Sequence, residues 1–414
     1  MNVKNIVTLV IVVVLTSHVH AMNFLRPYDS LLRVDYTGKR WQMGFFAEGG
    51  LHASYNFDVD SNRTNVLRLY ECDQNVLAAL KGYDENTLLG QLNIRLNAND
   101  DGVRGHFIPT GCFKTAFGGA FAATIFITES FAFSLYLPFF DMRLENVLWC
   151  EQTKDITEDD IRVKENITNN FFENVKTFGD GLELGSWERR GFGDLLALLH
   201  WHKVYPQYRP LLKSAQLNGR IGLNLPSGRR KDEDKIMALS FGYDGAVGLL
   251  FGGGLDLLMG HYFKLGFDVE LLHLFGNTRE RRIKTHASQT ELLLLKKACA
   301  YKDFGLTQRF NLYLQVYHFF KGASLLVGYQ YFKHGDDELS LSTHEFSSEI
   351  ANTSKILEEW TMHQIFVNAS YNFAHLFDVD ARVIPQASLF FRFPFNGKLS
   401  VLVPTVGGRI SVDF

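Results

Sequence analysis

The chain has 414 residues and a net charge of −3, from 42 Lys and Arg against 45 Asp and Glu, with a mean hydropathy of −0.06. That balance gives no electrostatic case for nucleic acid, and no stretch after the N-terminal leader approaches the roughly 20 apolar residues of a membrane-spanning helix. Aromatic residues reach 14%, with 36 phenylalanines, an unusual content for a soluble domain but one that suits strands with one face in lipid and one in water.

Met1 to Ala21 reads as a secretory signal peptide: Lys4 supplies the positive n-region, Ile6 to Leu15 the apolar core and Val19-His20-Ala21 the cleavage site. Residues 22–40 follow as an N-terminal segment that would lie in the lumen of a barrel or outside it. From Trp41 to Phe57 apolar and polar residues alternate, as one strand or as two folded at Gly49-Gly50. Residues 58–87 break the alternation. Asp73 is placed to cap a short helix through Val76 and Leu80, stopped by Gly82, and the segment reads as part of a plug or as a surface loop.

Alternation resumes with Leu92, Ile94 and Leu96 against Gln91, Asn93 and Arg95, then over Phe113 to Ile127 and Phe131 to Phe139 around the turn Thr128-Glu129-Ser130. It continues at Leu217 to Leu225, Val247 to Met259, Phe263 to Phe275, Phe310 to Val316, Leu325 to Tyr331, Ile365 to Tyr371 and Ala387 to Phe393. Period two places the two sets on opposite faces of a strand. Segments of about ten residues with this pattern are the signature of a transmembrane barrel, whereas a soluble sandwich has shorter strands and turns its apolar face inward. Connections alternate too: short turns at 128–130, 206–209, 260–262 and 320–322, long polar loops near 141–190, 226–243, 277–304 and 335–359. The expected fold is all-β, a transmembrane antiparallel up-and-down barrel over residues 41–414 with a short N-terminal or plug segment. The scheme yields about 13 strands, odd where single-chain barrels are usually even, so about 12 are expected, with 14 as the alternative.

The chain ends on a strand whose alternate residues Val406, Gly408, Ile410, Val412 and Phe414 share one face. This resembles the insertion signal of bacterial outer-membrane β-barrels, and the resemblance implies an outer-membrane location, with the lipid bilayer and the outer-membrane assembly machinery as partners. Gly191-Phe192-Gly193-Asp194 and Gly222-Leu223-Asn224-Leu225-Pro226-Ser227-Gly228 resemble the G-x-G-D and G-L-x-L-P-[ST]-G elements of transporters encoded with aromatic-degradation pathways, relatives of the long-chain fatty-acid transporters. The resemblance covers 190–276 and implies a barrel that passes small hydrophobic molecules.

The alternation phase assigns Glu48, Arg95, Lys114, Arg220, Asp256, Lys264, Asp268, Glu270, Arg309 and Arg392 to the lumen, with Tyr313 and Phe366 among its aromatics. Charges of both signs fit a hydrated channel; the aromatics fit passage of apolar or aromatic solutes. The expected function is passive uptake of small, hydrophobic or aromatic solutes, the solute itself unidentified. The alternatives are a general hydrophilic porin, a surface anchor or adhesin, and a lipid hydrolase using His52 and Ser54, whose His-x-Ser spacing recurs at His286 and Ser288. No enzyme is expected. His200 and His202 share a face, but two ligands at that spacing fall short of a metal site, and the cysteines Cys72, Cys112, Cys150 and Cys299 form no metal motif. No metal and no cofactor are expected.

Overall fold

The computed structural model describes residues 31–34, 38–50, 56–96, 102–317, 320–343, 345–376 and 383–414. The signal-peptide segment and the His52-Ala53-Ser54 tripeptide lie outside these residues. Twelve strands form one closed antiparallel ring: β1 Trp41–Gly50, β2 His106–Phe126, β3 Phe131–Glu151, β4 Leu195–Pro206, β5 Leu212–Leu225, β6 Gly248–Met259, β7 Phe263–Leu274, β8 Thr307–Tyr317, β9 Ala323–His334, β10 Trp360–Asn372, β11 Ile384–Lys398 and β12 Thr405–Asp413. Each pairs with the next in sequence, and β12 returns to β1 with Val412 opposite Met43 and Ile410 opposite Phe45. Closure leaves no edge of unpaired backbone groups, the condition for crossing a bilayer with strands.

The phase of alternation decides which face is wet. Leu312 is 51% exposed on the outer surface, while its neighbour Asn311 is 1% exposed inside. On β12, Val406, Ile410 and Phe414 are exposed outward and Ser411 and Asp413 are buried inward. The backbone of Trp41 and Phe414 exchanges two hydrogen bonds of 2.9 Å, so the chain end is stitched to the start of the barrel at the end of the short turns.

Two expectations fail for identifiable reasons. Residues Leu88–Leu96 form a helix, not a strand. Leu89, Leu92 and Leu96 recur at i, i+3 and i+7 and pack inward, while Ile94, taken as their companion at period two, is 59% exposed. Removing this segment also resolves the strand count, and β1 ends at Gly50 as a single strand. The short helix at Val76–Ala79 does form, but Asn75 caps it, accepting from the amides of Leu77 and Ala78, in place of Asp73. Gly82 follows at φ +85°, a left-handed conformation that suits glycine at the end of a helix.

The long connections do not hang free. They assemble into a cap over the end opposite Trp41 and Phe414, with its own three-stranded sheet of Asn277–Ile283, Lys296–Asp303 and Glu338–Leu341. Its helices include Glu158–Val163, opened by a capping box between Thr157 and Asp160, and Phe171–Phe178. The cap core joins Leu67 and Leu77, Ile167, Ile236 and Leu293 from four separate connections with Phe113 of β2, and Phe107 stacks on Phe171 with ring centroids 3.9 Å apart. Residues 58–87 pack into this cap.

The transition from wall to cap occurs within β2 and β3, each 21 residues long. A bulge in β2 between Thr115 and Phe117 shifts the register by one residue, and a one-residue shift exchanges the two faces of a strand. Below it Ala120, Thr124 and Phe126 face the lumen; above it Phe113 turns into the cap.

Candidate functional site: the lumen and its vestibule

The wall built by β5 to β10 is polar and cross-linked. Arg220 on β5 reaches over β6 to Asp268 and Glu270 on β7, donating to the two Asp268 oxygens at 2.8 Å each and to Glu270 Oε2 at 3.0 Å. Arg309 on β8 donates to the same Glu270 oxygen at 2.7 Å. Asn311 donates to Asp268 at 2.9 Å, and Gln330 donates to Asn311 at 2.6 Å. Gln364 continues the chain onto β10 by bonding Gln330. These groups are almost completely removed from water, and removal of a charge costs several kcal/mol unless it is paired and hydrogen-bonded. Register makes the pairing possible: Glu270 lies directly opposite Arg309 and Asp268 opposite Asn311.

An apolar cluster lies across the lumen, beside the Glu48–Arg392 ion pair. Phe46 on β1, Ala120 on β2, Tyr136 on β3 and Leu196 and Leu198 on β4 form one buried cluster with Leu250, Leu272, Leu274, Phe304 and Phe390. Leu32 from the N-terminal segment is seated in this cluster with 0% exposure. Leu31 contacts a second group of Tyr313, Leu326 and Phe366, and Arg33 bonds Asp256 at 2.5 Å and Asp268 at 3.3 Å. Three consecutive residues thus fill the mid-lumen, Leu32 in the apolar cluster and Leu31 and Arg33 against the wall of β6 to β10.

Above this level two adjoining cavities, about 240 Å³ and about 200 Å³, form a vestibule beneath the cap. Trp360, Phe304, Tyr243 and Leu274 contribute to the walls, and Asp337 sits between Lys302 and His334, whose Nε2 lies 2.9 Å from its carboxylate. Burial pushes the Asp337 carboxyl up, but Lys302 and His334 outweigh it and hold it at about 2. His334 also stacks on Trp360, with centroids 5.8 Å apart. At the other end a cavity of about 260 Å³ is lined by Ser214, Gln216, Asp256, His261, Lys264 and Tyr317.

Of the residues assigned to the lumen by phase, Glu48, Arg220, Asp256, Asp268, Glu270, Arg309, Tyr313 and Phe366 are buried inside the barrel. Arg392 donates to Glu48 at 2.9 Å, and Lys264 lies over the Tyr317 ring at 5.1 Å. Two assignments are corrected. Arg95 lies on the Leu88–Leu96 helix and bonds Asn166 in the cap. Lys114 lies above the β2 bulge, on the face opposite buried Phe113 and across from Arg143, so the shift carries it outside. The contribution of Leu31, Leu32 and Arg33 was illegible in strand alternation because these residues belong to no strand, whereas Gln330 could have been found from the phase of Tyr329 and Tyr331. His200, buried beside Arg220 in the register, and His202 gather no third ligand: among the described residues no group of three metal-binding side chains occurs. His286 Nδ1 lies 2.8 Å from Ser288 Oγ at an exposed cap turn.

The segments Gly191–Asp194 and Gly222–Gly228 meet at the foot of the cap. Asp194 accepts from Asn224 Nδ2 at 2.9 Å, from the Gly228 amide at 2.9 Å and from the Tyr243 amide at 2.7 Å. Ser227 Oγ donates to the Gly193 carbonyl at 3.1 Å. A Cβ on Gly193 would lie 2.5 Å from the Phe241 carbonyl, so the closeness of the two loops requires glycine. These residues fasten the 226–247 connection to the wall.

No protein-family model matches the chain, and no curated protein matches its sequence. Among solved structures, an outer membrane channel from Pseudomonas putida F1 aligns at 11% identity and a TM-score of 0.49, over 92% of this chain and 100% of that one. A Pseudomonas aeruginosa FadL homologue aligns at 8% identity and a TM-score of 0.30, over 90% and 89% of the two chains. The Pseudomonas putida toluene transporter TodX aligns at 8% identity and a TM-score of 0.31, over 91% and 90%. The chain is an all-β, closed 12-stranded barrel.

Proposed function

We propose that this protein is an outer-membrane channel for the passive uptake of small solutes, hydrophobic or aromatic ones in particular. The observation that supports this reading is the continuity of the apolar track. Phe304 and Tyr243 in the vestibule join Leu274, Leu272, Leu250, Leu198, Leu196, Tyr136 and Phe46 in one cluster that runs down to Leu32. An apolar solute entering beneath the cap would pass from aromatic to aliphatic contacts, while the ion pairs of the facing wall stay satisfied by one another. Passage beyond Leu32 requires the N-terminal segment to shift. The lipid-facing row ending at Phe414 would serve insertion by the assembly machinery.

Uptake of toluene into liposomes and ion conductance in planar bilayers, measured on the same purified full-length protein, test this. The expected result is toluene entry that exceeds protein-free liposomes with little steady conductance, and loss of that entry in Leu198→Glu, which places a charge on the track. Steady conductance without toluene entry would establish a hydrophilic porin instead.

A further inference from the structure

We propose that Asp256, Asp268 and Tyr313 form a lumenal binding site for a guanidinium group, occupied in this structure by the chain's own Arg33, and that a small external guanidinium solute can take its place. This goes beyond uptake of apolar solutes and concerns the opposite wall. Arg33 Nη1 lies 2.5 Å from both Asp256 oxygens and also bonds the Tyr313 hydroxyl. Nη2 reaches the Phe267 carbonyl at 3.2 Å and Asp268 at 3.3 Å. The guanidinium carbon lies 5.1 Å from the centre of the Tyr313 ring, close enough for attraction between a cation and the aromatic face.

The wall is shaped for this group. A Cβ on Gly254 would fall 2.2 Å from Arg33 Nη2, so only glycine leaves the space the guanidinium fills. A Cβ on Gly266 would fall 2.3 Å from the Tyr313 hydroxyl and 2.4 Å from Asp256 Oδ1, so a second glycine makes room for the groups that receive it. The charges point the same way. Of three carboxylates, Asp256, Asp268 and Glu270, only the last two contact the wall arginines Arg220 and Arg309. Asp256 takes its ion pair from Arg33, with Asn218 Nδ2 at 3.3 Å as a neutral donor. Withdrawal of Arg33 therefore leaves a carboxylate, a phenol and a fitted space facing the lumen. Access exists, because Asp256 also lines the cavity of about 260 Å³ at the end of the short turns. A planar cation with several N–H donors matches two carboxylates and a carbonyl; a spherical alkali ion reproduces neither the geometry nor the contact with the ring.

The test uses full-length Arg33→Ala protein in detergent, with methylguanidinium as the probe and tetramethylammonium as a cation without N–H donors. Methylguanidinium should bind Arg33→Ala at least tenfold more tightly than wild type, by calorimetry and by a rise in melting midpoint, and tetramethylammonium should not. Adding Asp256→Asn to Arg33→Ala should weaken binding at least tenfold. Adding Gly254→Ala should do the same with every charge intact, which guards against a misfolded Asp256 variant; a heat-modifiable gel shift confirms that each barrel is folded. Equal binding to Arg33→Ala and to both double variants, or to both cations, would overturn the site. Toluene entry does not require Asp256, so its persistence alongside a failed binding test would overturn this inference and leave the proposed function standing.

Discussion

The barrel wall and the cap are built from opposite uses of the same side chains. In the wall a row of apolar residues faces outward, with Leu312, Ile410 and Leu389 at 51%, 65% and 71% exposure, and charges are enclosed. In the cap the apolar residues are enclosed, as in any water-soluble core, with Leu293 and Ile167 at 0%. β2 and β3 belong to both regions, and the bulge at Thr115/Phe117 is where β2 exchanges one pattern for the other. The lesson is that hydrophobic alternation reports the surroundings on each side of a strand, and that a single strand can exchange an outward apolar face for a protein core along its length.

Substitutions in the two regions should therefore fail differently. Phe113→Ala removes a ring packed edge-on against Trp187, centroids 6.1 Å apart, inside the cap. A cavity of this kind costs about 3–5 kcal/mol. The expected outcome is rapid proteolysis of the 152–194 and 275–306 connections with the heat-modifiable barrel intact; simultaneous loss of both would merge the two regions into one folding unit. Leu312→Arg should cost the barrel about 2–4 kcal/mol by charging the lipid face and lower folded membrane yield, while inward Gln315→Arg is tolerated. Equal yields from the two variants would break the assignment of faces. Asp194→Ala sits at the boundary and frees the Gly228 and Tyr243 amides. About 1–3 kcal/mol is expected, since part of the loop regains water as a partner, read as faster hydrogen exchange confined to 226–247.

The smallest effect is expected at Glu71 in the cap, where burial and the neighbouring Glu291 raise the carboxyl above its usual 4.5 against the pull of Lys355 and Lys284. A raised carboxyl binds its proton more readily folded than unfolded, so its burial penalty is full at neutral pH and is relieved as pH falls through the folded value toward 4.5. Protease resistance of the cap should thus rise slightly between pH 7 and about 5. Glu71→Gln should flatten this rise, and an unchanged profile would show that Glu71 does not couple to cap stability.

The strands and their faces were legible because alternation needs only local spacing and a fixed pair of solvents. Glu270 and Arg309 could be placed inside from their neighbours alone, but their pairing depends on the register that sets β7 beside β8. The glycines at 252–254 were readable as places of close approach, yet nothing local says that Gly252 admits Arg220 and Gly254 admits Arg33.

By itself the sequence determined the class of fold, the number of strands to within one segment and the outward apolar row that includes Ile410 and Phe414, since each follows from side-chain period along a strand. Only the tertiary structure decided that 88–96 is a helix, that the long connections share one core and that Arg33 enters the acidic wall. Those outcomes join residues far apart in the chain: Arg33 and Tyr313 are 280 positions apart, and Tyr70 and Lys355 are 285. Their stability comes from contacts that do not exist until the ring has closed.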